Sequence, residues 1–110
     1  MLTILEPTAD ELRVLLFGEI DHHSAIEMRR QIDEAAERHR PRNLVLDFGG
    51  VTFMDSSGIG LVMGRYKLVG GWGGGVELVN TPRQLRRVMK LAGLDRLAKI
   101  DNGGQTDETK

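Results

Sequence analysis

From residue 12 to residue 92 the chain swings three times between a short β-rich run and a stretch of helical spacing. That rhythm excludes most folds at once, because strands separated by helices pair in parallel through right-handed crossovers. The strands are read at residues 12–17, 43–48 and 76–79, after a weaker run at 2–5. Pro7, Thr8, Ala9, Asp10 and Glu11 are turn formers, which predicts a hairpin and an antiparallel first strand. Residues 43–48 are almost continuously apolar, the pattern of a strand covered on both faces. Gly49-Gly50 punctuates that run, and Val51-Thr52-Phe53-Met54 brings the chain to Asp55.

The helices read as follows. Ala25, Met28, Ile32, Ala35, Ala36 and His39 recur at spacings of three and four and share one face. Two starts remain open: a capping box Ser24-Ala25-Ile26-Glu27, or Asp21 capping one turn earlier, with Pro41 as the stop. The second helix carries Ile59, Val62, Met63 and Tyr66 inward until the glycines at 70–75, a mobile turn, break it. The third is expected to start from Thr81 as N-cap, with Pro82 in the first turn and Gln84 completing the box. Leu85, Val88, Met89 and Ala92 follow, closed by Gly93. A last short strand or helix is read at 97–100, and the polar residues 101–110 as a frayed, flexible tail. The prediction is one α/β domain over residues 1–100. It has a mostly parallel sheet of four to five strands, antiparallel at its first, with helices packed on it.

Composition narrows the function. A chain of 110 residues hides roughly 65% of its unfolded surface in one core, so no metal or disulfide staple is required. Fifteen Lys and Arg against sixteen Asp and Glu give a net charge of −1, without the basic excess that phosphate-backbone binding uses. No apolar stretch approaches the roughly 20 residues of a membrane span, and the start lacks the marks of a signal peptide. The absence of cysteine excludes thiolate catalysis and Cys-ligated metals and fits a reducing compartment. A cytoplasmic monomer is expected, with no direct nucleic acid, no membrane and no metal.

In parallel sheets function gathers where strand ends meet helix N-termini. Two such places stand out: Gly18-Glu19-Ile20-Asp21-His22-His23 and Phe53-Met54-Asp55-Ser56-Ser57-Gly58-Ile59-Gly60. Asp55 and the serines suit a helix cap. Capping needs one such residue, however, and here three stand together beside Gly58 and Gly60, each about 1 kcal/mol less favourable in a helix than Ala. A nucleophile elbow would need glycines where Thr52 and Met54 stand, and a triad would require His22 or His23 to reach Ser56. Adjacent histidines are poor chelators of one ion. Gly58-x-Gly60-x-x-x-Gly64 with Glu77 downstream resembles a dinucleotide fingerprint. It supports the alternative of a small nucleotide-binding or hydrolytic α/β protein. Arg83, Arg86, Arg87 and Lys90 form a basic stripe on the third helix: a solvated face first, a docking site for an acidic partner second. Trp72 is either an exposed anchor or folded back on the sheet.

Together the two junctions, followed by Gly64-Arg65-Tyr66-Lys67, resemble the STAS-domain family of anti-sigma factor antagonists, and within it the sporulation branch. The resemblance implies a non-enzymatic switch without a cofactor of its own, any ATP or GTP being met through the kinase partner. In this family the unphosphorylated antagonist binds an anti-sigma factor serine kinase and so frees the sporulation sigma factor. Phosphorylation of the first serine after the aspartate, here Ser56, ends the contact, and a serine phosphatase resets it. The resemblance implies partner contacts at Asp21, His22, Asp55, Ser56, Ser57, Gly58 and Ile59.

Overall fold

Along Glu11–Ile20 the side chains of Leu12, Val14, Leu16 and Ile20 are buried while their alternates are not, the period-two signature of a strand with one face on the core. The computed structural model describes residues 1–101. It contains β1 (Leu2–Ile4), β2 (Glu11–Ile20), α1 (His22–His39), β3 (Asn43–Met54), α2 (Ser56–Gly70), β4 (Gly75–Val79), α3 (Arg83–Leu91), a 3-10 turn (Leu94–Arg96) and β5 (Lys99–Ile100). The five strands lie side by side in chain order, β1 antiparallel to β2 and every later pair parallel. Of the tail read at 101–110, only Asp101 falls within the described residues.

A sheet whose strand order never reverses, joined by right-handed crossovers, places successive helices on one face. There Met28, Ile32 and Ala36 of α1 and Leu61, Val62 and Val69 of α2 pack with Leu44, Leu46, Phe48 and Leu78 into one core. Each large side chain so buried contributes about 1.5–3 kcal/mol. The opposite face explains where the two-sided reading of residues 43–48 was only half right. Val45 is fully buried there, but its neighbours in register are Arg13 and Glu77, and Asn43 donates a hydrogen bond to Glu77 at 3.1 Å.

Several expectations are corrected. Gly49-Gly50 does not interrupt β3; a side chain at Gly50 would meet the Leu16 carbonyl and the Phe17 ring, so glycine lets β2 and β3 stay paired across an irregular register. His39 lies exposed at the end of α1, off its core face. In α2 the inward set is Gly58, Leu61, Val62, Arg65 and Val69, whereas Met63 and Tyr66 face out. Thr81 is buried, and α3 is capped at Pro82 with no side-chain cap bond; Val88 and Ala92 are exposed, leaving Leu85 and Met89 to anchor it. Of the two readings of Trp72 the folded-back one holds: its Nε1 donates to the Pro41 carbonyl at 2.9 Å and Arg40 stacks on its ring at 5.2 Å. The glycine segment is a close turn, with the Gly74 amide donating to the Val69 carbonyl at 2.8 Å.

Candidate functional site

Because β2 and β3 are parallel neighbours, their C-terminal ends share one edge of the sheet, and each hands over to a helix there. Gly18, at φ 74°, is followed by a register shift in β2; only glycine adopts that conformation without cost. The Asp55 amide donates to the Ile20 carbonyl at 3.1 Å and so ties the two junctions together. Each helix is capped by an aspartate in extended conformation, Asp21 for α1 and Asp55 for α2, placing carboxylates at the positive ends of both helix dipoles.

The first junction is saturated. The Ser24 amide donates to Asp21 Oδ1 at 2.8 Å, the Asp21 amide donates to Ser24 Oγ at 3.0 Å, and that hydroxyl donates to the Glu19 carbonyl at 2.9 Å. Asp21, not Ser24, is therefore the N-cap, and Ser24 is the third residue of its box. The Ser24 amide bond, more than any other contact, holds the Asp21 carboxyl below its ordinary range.

The second junction is open. Asp55 Oδ1 accepts the Ser57 amide at 2.7 Å and the Asp55 carbonyl accepts the Gly58 amide at 3.0 Å. Ser56, the first residue of α2, is exposed, and its hydroxyl makes no hydrogen bond among the described residues. Ser57 is half-buried, and Ile59 packs partly against the core. Gly58 is buried, and a Cβ there would overlap the Met54 side chain. Its glycine is required by that internal packing.

Between α1 and α2, beside this edge, lies a groove of about 260 Å³ lined by His22, Ala25, Ile26, Arg29, Ser57, Gly60, Leu61 and Arg65. Exposed His22 borders it, so the structure gathers Asp21, His22, Asp55, Ser56 and Ser57 at one edge. Arg65 forms the groove's buried end. Its Nε lies 2.7 Å from Asp33 Oδ1 of α1, an ion pair whose geometry is off-line for a hydrogen bond; Nη1 donates to the Leu61 carbonyl at 3.3 Å. Burial outweighs attraction in both partners, raising the Asp33 pKa and lowering that of Arg65.

Sequence reasoning missed the apolar rim. Phe53, 50% exposed, and Ile26, 51% exposed, stand at these junctions, and exposed large apolar side chains beside a polar site mark contact surfaces. Phe53 was legible in principle, since it directly precedes Met54-Asp55. The glycine fingerprint does not form a phosphate loop. Gly58 sits inside the first turn of α2, and Glu77 lies mid-strand, hydrogen-bonded to Asn43. Among the described residues no histidine hydrogen-bonds a serine, and no three potential metal ligands converge. No helix of the described residues is long and apolar enough to cross a membrane.

Comparison with known proteins places this geometry. The profile of the STAS domain matches residues 6–105. The anti-sigma F factor antagonist of Paenibacillus polymyxa is 38% identical over 89 residues, 81% of this chain and 76% of its own length. The solved anti-sigma factor antagonist SpoIIAA in its unphosphorylated form superposes with a TM-score of 0.80 at 29% identity, covering 93% of this chain and 89% of that one. The phosphorylated form of SpoIIAA from Bacillus gives 0.72 at 29% identity, over 93% and 92%.

Proposed function

This chain belongs to the STAS-domain family of anti-sigma factor antagonists, regulatory binding proteins rather than enzymes, and we propose that it works as a phosphorylation-controlled partner switch. Unphosphorylated, it binds an anti-sigma factor serine kinase through the edge around Asp21, His22, Asp55, Ser56, Ser57 and Ile59, and a sporulation sigma factor is released. The kinase transfers the γ-phosphoryl group of ATP to Ser56 Oγ; the hydroxyl proton is lost, ADP leaves, and the complex separates. A serine phosphatase hydrolyses the ester and restores the binding form. The protein acts as a monomer in the cytoplasm.

One observation carries this reading. Ser56 is the serine at the site that is exposed with an unengaged hydroxyl, while Ser24 at the twin junction has its oxygen fully employed. Phosphorylation adds about −1.5 to −2 charges. At a helix N-terminus the antagonist tolerates them, since the dipole and free amides favour an anion. A partner surface fitted to a neutral hydroxyl does not, and the added charge beside Asp55 must be desolvated on docking. A loss of about 3–4 kcal/mol is a factor of several hundred in affinity. SpoIIAA, similar in fold here in both phosphorylated and unphosphorylated forms, supports a switch that leaves the architecture in place.

The test is to incubate the protein with the anti-sigma factor kinase of its own organism and ATP and to map the product by mass spectrometry. A single phosphate on Ser56 is expected. Phosphate on another hydroxyl, or ATP turnover by the protein alone, would overturn the reading.

A further inference from the structure

The groove between α1 and α2 has no part in the phosphate transfer itself. Both helices leave from one sheet edge, where Ile20 of β2 stands in register with Met54 of β3. The groove therefore opens at the switch, between His22 in the first turn of α1 and Ser57 in the first turn of α2. From that mouth it runs inward for about 10 Å, the rise from His22 to Arg29. Gly60 keeps it open. Neither conformation nor packing requires a glycine there: it lies in α2 without a positive φ, is exposed, and an added Cβ would meet nothing within 4 Å. Gly58 is the contrast, since Met54 fills the space beside it. A glycine at position 60 costs α2 about 1 kcal/mol against alanine, and the missing side chain leaves room for another molecule to approach the helix closely. The ionisable lining has one sign. His22, Arg29 and Arg65 face the groove, and no acidic side chain among the described residues lines it. Arg65 is matched by Asp33, but exposed Arg29 forms no salt bridge among the described residues.

Resting on the partner-switch reading, we infer that this groove seats a protruding side chain of the same anti-sigma factor kinase, an apolar stem ending in a carboxylate, and that Gly60 admits it. The kinase is the occupant because the mouth belongs to the modification site. Ser57 directly follows Ser56, so a molecule whose active centre reaches the Ser56 hydroxyl stands over the opening. The stem lies against Ile26, 51% exposed, and passes over Gly60; its carboxylate faces Arg29, which would repel a cationic end. Side chains that fill pockets at a contact carry a large share of its binding energy. A free small molecule fits less well, since the groove's volume of about 260 Å³ is below the roughly 300 Å³ at which such sites begin. A second copy docked symmetrically fits less well too, because Glu19, Asp21 and Asp55 of the two edges would face their like.

The test measures kinase affinity and melting temperature for the wild type, Gly60→Ala, Gly60→Leu, Arg29→Gln and the control Gly70→Ala. The methyl group of the control also meets nothing within 4 Å, but it stands about 15 Å further along α2. Gly60→Ala is expected to weaken binding about tenfold and Gly60→Leu about a hundredfold, with melting temperatures at or above that of the wild type and Ser56 still modifiable at saturating kinase. Arg29→Gln is expected to weaken binding about fivefold and to flatten its salt dependence, and the control to stay within about twofold. Wild-type affinity in both Gly60 variants, or an equal loss in the control, would overturn the groove contact while leaving the Ser56 switch standing. Weakening in the Gly60 variants with Arg29→Gln unchanged would overturn the carboxylate. A loss of affinity matched by a fall in melting temperature would assign Gly60 to the fold and overturn the inference. Self-association of the wild type, abolished in Gly60→Leu with kinase binding unchanged, would give the groove to a second copy and overturn it as well. Failure of the wild type to bind the kinase would remove both the groove contact and the switch.

Discussion

The two strand-to-helix junctions of this molecule solve one local problem in the same way and end in opposite states. Both place an aspartate at the N-cap of a helix and follow it with a hydroxyl-bearing residue in the first turn. At α1 the Ser24 hydroxyl is held by the Asp21 amide and the Glu19 carbonyl; at α2 the Ser56 hydroxyl faces solvent with no partner among the described residues. The difference comes from position within the turn. A serine third in the helix can reach back to the capping residue. A serine first in the helix cannot, and its oxygen is left for another molecule. One junction is therefore a structural lock, the other a place where a covalent charge can be added without undoing the fold.

The largest contrast is chemical. With the kinase and ATP, Ser56→Ala is expected to incorporate at least a hundredfold less phosphate than the wild type, while Ser24→Ala incorporates it fully; radiolabel stoichiometry decides. Phosphate on Ser24 would end the distinction between lock and switch.

Packing gives the next effect. Gly58→Ala drives a methyl group into Met54 and is expected to destabilise by about 1–3 kcal/mol, as overpacking does, whereas Gly60→Ala, with open space around it, is neutral or stabilising. Urea denaturation of both variants checks this.

Smaller again is the cost of the caps. Ser24→Ala should cost about 1 kcal/mol by removing half of a capping box, and Ser56→Ala should stay within about 0.5 kcal/mol. Equal losses would mean that Ser56 also holds the structure.

The smallest effect is one of pH. The Asp21 carboxyl is depressed in the folded state, so its contribution is present above the ordinary carboxylate range and lost as pH falls through the folded value. The gap in melting temperature between wild type and Asp21→Asn should thus be full at neutral pH and shrink on acidification. A gap that widens in acid would contradict the cap.

These junctions were legible because polar residues clustered at strand ends have few structural uses, and Gly18-Glu19-Ile20-Asp21 and Asp55-Ser56-Ser57-Gly58 carry more of them than caps require. The choice between Asp21 and Ser24 as cap was not, since both satisfy the same spacing and only the backbone conformation at Asp21 separates them. The inward face of α2 was misjudged because Arg65 looks like a surface residue; its counterion, Asp33, is 32 positions away on another helix, beyond any local pattern. Met63 and Tyr66 were placed inward on hydrophobicity alone, which does not distinguish a core from an exposed contact surface. The strand through Gly49-Gly50 was read as broken because glycine usually punctuates. Here it answers a close approach by β2, which only the paired strands reveal.

The central claim is that one hydroxyl sets affinity without setting the fold. It is tested most directly by titrating a single preparation against the kinase before phosphorylation, after it and after phosphatase treatment, with a melting curve at each stage. Affinity should fall several hundredfold and return, with the melting temperature nearly constant throughout. Unchanged affinity, or a loss accompanied by a matching loss of stability, would contradict it.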